Sequence, residues 1–302
     1  MADWLRGHNL TSERLRWYIN YGCRDDYGAS IEDVSAWAGL HYYACREDVE
    51  ANLFTWPEGN GWVVKQLLKR FGQNVQVSKP VYRIAKNGKL MNVFTEDTLY
   101  ETDVVIYSAP TFIAPYIVDG MEALDPSGWV YSPWLTANIT LEEPPENTAG
   151  MPLAWDNVIY NSPTLGYVVA NHQSGPRKDG KMVVTYYWAL SDYEPGQGRL
   201  ALLDETKGWS YWKDAILRDM EVAHPNIRDI VSRVDLMRMG HAMVRPVPGS
   251  IFHPQRRQLA TQKGQLLFAN NDLSGFAIFE EAQFRGVIAA ERAADFLSGK
   301  VT

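Results

Sequence analysis

A chain of 302 residues has room for one large domain or two ordinary ones. Its 46% hydrophobic and 22% charged content is that of an ordinary globular protein, and a net charge of −7 argues against nucleic acid, which needs a basic face. No apolar run approaches the ~18 residues of a membrane span, and Met1-Ala2-Asp3-Trp4-Leu5-Arg6 lacks a signal-peptide core, so the expectation is a cytoplasmic protein without a membrane partner.

Two cysteines, Cys23 and Cys45, cannot build a disulfide framework and read as reduced thiols. The first 27 residues read as helical, with Thr11 or Ser12 as N-cap and Leu15, Tyr18 and Ile19 on the buried side. Cys23-Arg24-Asp25-Asp26-Tyr27-Gly28 closes that stretch with a charged turn, either a solvated cap with a salt bridge or an acid–base or metal pair. Ser30-Ile31-Glu32-Asp33 opens a second helix, its acids favouring the positive end. Trp37, His41, Tyr42 and Tyr43 form its aromatic face, as core or as a pocket wall.

Phe54-Thr55-Trp56-Pro57-Glu58-Gly59-Asn60-Gly61 leads into a helix through Phe71. Gly59 and Gly61 partly imitate a dinucleotide loop, yet Trp56-Pro57-Glu58 is not a buried strand and the third glycine is missing. A bare tight turn before a helix explains the pattern as well. Residues 74–108 are the clearest β region: Val75 and Val77 alternate with polar neighbours, and Val81-Tyr82-Arg83-Ile84 follows Pro80. Asn87-Gly88 is a hairpin signal, with Leu90-Met91-Asn92-Val93 as the return strand. Thr102 to Pro110 is a continuous apolar run of the kind buried in a parallel sheet.

Beyond residue 110, Trp134–Leu141, Ile159-Tyr160, Gly166–Ala170 and Met182–Trp188 supply strands for an antiparallel sheet. Gly208 to Glu221 is an amphipathic helix carrying Trp209, Trp212, Ile216 and Leu217, and Val234 to Met239 is a further strand. Gly240 to Gly249 then reads as a proline-rich crossover, and Arg256-Arg257 as a solvated face. Gly264 to Ala269 is a short buried strand, Asn270-Asn271-Asp272-Leu273-Ser274-Gly275 a polar loop, and a helix follows from Ala277. Its face of Ile278, Ala282, Gly286, Ala289, Ala290 and Ala293 is nearly all small. Strand, polar loop and helix N-terminus suit a ligand with phosphate or polar edges.

Phe268-Ala269-Asn270-Asn271-Asp272, with Glu280-Glu281-Ala282, Gly286 and Ala289-Ala290, resembles the C-terminal flavin segment of FAD-dependent amine oxidases, relatives of protoporphyrinogen oxidase and phytoene desaturase. Asn270 stands where that family has glycine, and Glu281 replaces the middle glycine of Glu-Gly-Ala. Val81 to Ile84, the hairpin, and Asp103-Val104-Val105-Ile106-Tyr107-Ser108-Ala109-Pro110 resemble a second segment of the same proteins, in the same order along the chain. The resemblance implies an α/β (α+β) fold: a partial FAD-binding Rossmann-like domain with an inserted substrate domain of antiparallel sheet plus helices. It divides the chain into 1–72 (helical, substrate domain), 73–110 (FAD-domain strands), 111–260 (substrate domain) and 261–302 (FAD-domain strand and helix).

The resemblance further implies that FAD is held by the backbone at Val81, by Ala109 and Pro110, by Gly59 and Gly61, by Asn271 or Asp272, and by the helix start at Glu280, Glu281 and Ala282. His241, Arg245 and Trp56 are the corresponding pocket candidates, and no catalytic base is assigned. The implied activity is hydride transfer from a small amine or related substrate. The family's opening Gly-x-Gly-x-x-Gly, which grips the pyrophosphate, is not in this sequence. A C-terminal portion with weak or absent FAD binding is expected, or a non-catalytic binding or assembly subunit or truncated domain, with a homodimer or a chain that supplies the dinucleotide unit as possible partner. Scattered histidines argue against zinc, and neither Gly-x-Ser-x-Gly nor a phosphate loop occurs.

Overall fold

A computed structural model describes residues 1–45, 56–146, 152–171 and 180–300. Four helices come first: α1 (Ala2–Gly7), α2 (Glu13–Tyr27), α3 (Ala36–Ala44) and α4 (Gly61–Phe71). Strands β1 (Val81–Asn87), β2 (Leu90–Thr95), β3 (Leu99–Thr102) and β4 (Val105–Tyr107) follow, then the short α5 (Ala114–Ile117). Next are β5 (Val130–Leu141), β6 (Asp156–Asn157), β7 (Gly166–Val169), β8 (Met182–Ala189), α6 (Pro195–Leu203), α7 (Trp209–Met220), α8 (Ile227–Ile230) and β9 (Val231–Arg245). Helix α9 (Pro254–Thr261), β10 (Leu266–Phe268) and α10 (Phe279–Leu297) end the chain.

These elements group into two compact units, Met1–Gly72 with Tyr131–Met243, and Gln73–Val130 with Val244–Thr302. Residues 111–130 and 244–260, expected in the inserted domain, therefore belong with the second unit.

The first unit is built on a five-stranded sheet in the order β6-β7-β8-β5-β9. Strand β5 alternates: Leu135, Ala137, Ile139 and Leu141 are all buried, as period-2 geometry requires of a strand with one covered face. Trp212, Ile216, Leu217 and Met220 of α7 fall on one helical stripe and join the same core. Each such side chain contributes about 1.5–3 kcal/mol by leaving water. Asp219, on the same helix, is held by three donors: Tyr186 Oη at 2.6 Å, and Thr164 Oγ1 and Ser162 Oγ at 3.0 Å each. Helix α2 ends on Gly28, at φ 60°, where a Cβ would lie 2.6 Å from Trp134 Nε1.

Several expectations in this unit change. Ser35, not Ser30, caps α3 by accepting from the Ala38 amide, while residues 31–34 form turns. Trp37 is 45% exposed rather than core. Arg24 belongs to no solvated turn: it is buried and donates to the Ser162 carbonyl. Ile159-Tyr160 lies after β6 rather than in a strand, and β9 runs on through Arg245 where a crossover was expected.

The second unit holds a meander, β1-β2-β3, and a separate parallel pair, β10-β4. Asn87 pairs with Leu90, so Gly88-Lys89 forms the two-residue turn and Gly88 takes the φ of 61° that the turn demands. Val75 and Val77 precede the meander outside any strand and are 50% and 79% exposed. Alternation there is a coincidence of composition. Leu267 and Ala269 pack on Ala289 and Ala293, so the small face of α10 lets the helix lie close to the parallel pair.

Candidate cofactor and substrate site

Strands β4 and β10 run parallel with Val105, Ile106 and Tyr107 opposite Leu266, Leu267 and Phe268, and the Ala269 amide continues the ladder to the Tyr107 carbonyl at 2.9 Å. Parallel pairing brings both strands' C-terminal loops to the same end, the edge at which α/β sheets hold ligands. Residues 109–111 and 270–272 meet there. The Asn270 side-chain amide donates to the Ala109 carbonyl at 2.7 Å and to Thr111 Oγ1 at 3.2 Å. Asp272 Oδ2 accepts from the Thr111 backbone N–H at 2.7 Å, capping the turn at Thr111–Ile113. Thr111, Asn270 and Asp272 are buried, at 0%, 6% and 4% exposed. Tyr107 donates to the Pro110 carbonyl at 2.9 Å, and burial, with Asp272 adding, pushes its hydroxyl up to about 12.

The Asn270 side-chain amide thus ties the two loops together. Gly275, at φ 81°, closes the same loop: a Cβ there would lie 2.0 Å from Arg256 Nη1. Arg256 is 1% exposed and donates to the Gly128 carbonyl at 2.5 Å, so the expected solvated pair is half wrong: Arg257 is exposed, and Arg256 shares the buried stripe of α9 with Leu259. Periodicity alone held that signal, since 256 and 259 are three apart.

At the start of α10, Glu280 is exposed and Glu281 and Ala282 are half-buried. Two carboxylates in the first turn neutralise the helix's positive end and oppose a bound phosphate. Arg285, one turn on, donates to Ser274 Oγ at 2.8 Å, and burial lowers its affinity for the proton. Asn271 is half-buried, its carbonyl taken by the amides of Ser274 and Gly275. Val81 begins β1 opposite Thr95, beside a register shift, and is 37% exposed.

The remaining candidates divide between the units. In the first, Gly59, at φ 56°, turns the chain by a bond from its amide to the Trp56 carbonyl at 2.8 Å, and Gly61 opens α4. A Cβ on either glycine would meet no atom within 4 Å, so Gly59 is needed for its φ and Gly61 leaves open space. Trp56 stacks on Trp62 at 4.4 Å and 7°. His241, also in the first unit, sits edge-on to Tyr131 at 5.7 Å; burial, then the Arg199 charge, lowers its basicity. Arg199, which the sequence did not single out, packs its aliphatic stem where a Cβ on Gly240 would come to 3.4 Å and donates to the Tyr131 carbonyl. Arg245 belongs to the second unit and is 2% exposed.

No protein-family model and no curated protein matches the sequence. Solved structures do. A cyclohexylamine oxidase from Brevibacterium oxydans IH-35A aligns over 98% of this chain and 67% of its own, at 15% identity and TM-score 0.68. A putrescine oxidase double mutant aligns over 97% of this chain and 67% of its own, at 13% identity and TM-score 0.69. The chain has the fold of the flavin amine oxidases. That amine-oxidase fold also covers a fatty acid isomerase from P. acnes, over 95% of this chain and 64% of the isomerase, at 15% identity and TM-score 0.63. The chain thus spans between about half and two thirds of the length of the solved structures it matches. Among its described residues no helix is long and apolar enough to cross a membrane, and no group of His, Cys, Asp and Glu is placed to hold a metal.

Proposed function

We propose that this chain supplies the substrate unit and part of the cofactor cradle of an FAD-dependent oxidoreductase acting on a small amine or related molecule. One observation carries the reading: in an amine-oxidase fold, the loops at the C-terminal ends of β4 and β10 converge and are locked together by Asn270 and Asp272. The residues fit FAD in part. In the second unit, the half-buried Ala109 and the exposed Pro110 put small, weakly polar side chains at the edge where a flat ring system could lie. Asp272 is spent on Thr111, and Glu280 and Glu281 oppose phosphate, so the pyrophosphate grip has to come from elsewhere.

The chemistry that flavin would supply when bound is acceptance of a hydride from a substrate C–H bond, in an amine the one next to nitrogen. This chain's own residues position and desolvate. His241, its basicity lowered by burial and by Arg199, is the polar candidate for substrate contact beside Tyr131. The test is an FAD titration followed by desalting, read by absorption. A weak, saturable spectral change lost on desalting is expected, and it should vanish in Ala109→Trp. Bands that survive desalting would make the chain an autonomous flavoprotein, and no saturable change at all would refute the cradle.

A second reading, an assembly subunit, is favoured by α4. Val64, Leu67, Leu68 and Phe71 recur at helical spacing and are all 44–46% exposed, and α4 buries none of its residues. A homodimer, or a separate polypeptide carrying the Gly-x-Gly-x-x-Gly unit, would cover such a stripe. Analytical ultracentrifugation distinguishes the two readings: a stable colourless dimer favours assembly.

A further inference from the structure

The second unit contains a pocket of about 410 Å³ at the N-terminal end of β10, whereas the candidate cofactor loops leave the C-terminal ends of β4 and β10. That size lies within the range of small-molecule sites. Its floor is apolar: Ile84, Met91 and Val118 are 4%, 5% and 3% exposed, and Leu266 and Phe296 lie beside them. Period-2 geometry sets this face. Lys86 stands opposite Met91 in the β1–β2 ladder and Ile84 lies two residues before Lys86, so all three side chains project to one side of the sheet.

The walls are tied without a ligand. Val118 bridges to Ile84, and the Asp119 amide donates to the Ile84 carbonyl at 2.9 Å. Gln265 Nε2 donates to the Lys89 carbonyl at 2.6 Å and the Asp103 carbonyl at 3.1 Å, and Gln262 Nε2 to the Leu266 carbonyl at 2.9 Å. The charge left at the mouth has one sign. Asp119 is taken by a two-pronged pair with Arg83, at 3.0 and 2.6 Å. Lys86, in contrast, enters no hydrogen bond or ion pair among the described residues, and Lys263 adds a second cation to the rim.

We propose that this pocket binds a small organic carboxylate with an apolar body, the carboxylate on Lys86 and the body on Ile84, Met91 and Val118. An unpaired cation beside a buried apolar floor is complementary to both halves of such a molecule. Phosphate is the poorer match: no arginine and no helix start is among the lining residues, and a bare dianion gains nothing from the floor. The helix end near Phe296 offers little repulsion, since the carbonyls of Ala294, Asp295 and Phe296 already accept from the amides of Ser298, Lys300 and Gly299. The inference is independent of the flavin reading, because the pocket lies wholly in the second unit, away from the cofactor loops, and its occupancy needs no cofactor.

The probe is 4-benzoylbenzoate, titrated calorimetrically into the full chain and then irradiated, so that its ketone labels the C–H bonds nearest to it. One saturable site is expected, with adducts on Met91 or Leu266. The neutral 4-(hydroxymethyl)benzophenone should bind much more weakly, and inorganic phosphate should fail to displace the probe at equal concentration. Lys86→Gln should weaken binding roughly tenfold and flatten its dependence on ionic strength, because the unpaired cation is lost. Lys86→Arg, which keeps the charge, should largely restore it. Lys86 is exposed, so both variants keep the fold, which their thermal transitions check. Absence of saturable heat, adducts outside the pocket, equal affinity for the neutral analogue, displacement by phosphate, or unchanged affinity in Lys86→Gln would each overturn the proposal.

Discussion

Replacing Asp272 by alanine removes the acceptor for the Thr111 amide, which is fully buried and 161 residues away in the chain. An orphaned buried N–H costs about 1–3 kcal/mol, and a hydrogen bond to a charged partner is at the upper end of what such bonds contribute. The expected loss is therefore ~2–3 kcal/mol, concentrated where the 109–111 and 270–272 loops meet. Asp272→Asn keeps an acceptor oxygen and should lose ~1 kcal/mol. Hydrogen exchange read on peptides spanning 105–115 is the assay, because a local opening appears there before global unfolding. A loss of 2 kcal/mol corresponds to roughly 30-fold faster exchange at Thr111. If the alanine variant exchanges like the parent and its urea midpoint is unmoved, Asp272 is not the tie between the loops. Its carboxylate would then be available to a ligand, and the account of this site would be wrong.

The Tyr107 hydroxyl, pushed up to about 12 chiefly by burial, stays protonated in the folded state at pH values where an unfolded tyrosine ionises. Its stabilising contribution is thus complete below about pH 10 and disappears as pH rises towards 12; Tyr107→Phe should remove that part of the alkaline destabilisation in pH-dependent melts. Burial pushes the Cys23 thiol up to about 12, while Cys45 is exposed. A disulfide reagent at pH 8 should titrate one thiol quickly and the second only after unfolding, and two fast equivalents would contradict the burial of Cys23.

Local pattern determined much of this protein. The hairpin at Gly88 follows from a turn that needs positive φ, the alternation of β5 from one covered face, and the stripe on α7 from helical spacing. The two segments that resemble flavin amine oxidases were likewise legible, because short strands, turns and small-residue faces are written over ten or twenty neighbouring positions. What the sequence could not state was who meets whom. Arg256 looked like surface charge, yet it is buried against Gly128 and forces glycine at 275. Asp272 looked like a ligand-facing acid, yet one of its oxygens is taken by Thr111. Glu13, Glu32 and Asp33 line one cleft with Ser191, Asp192 and Glu194, although more than 150 residues separate the two groups in the chain. Burial and hydrogen-bond partnership are properties of the packed chain. Periodicity says which face is covered, and only tertiary structure decides what covers it.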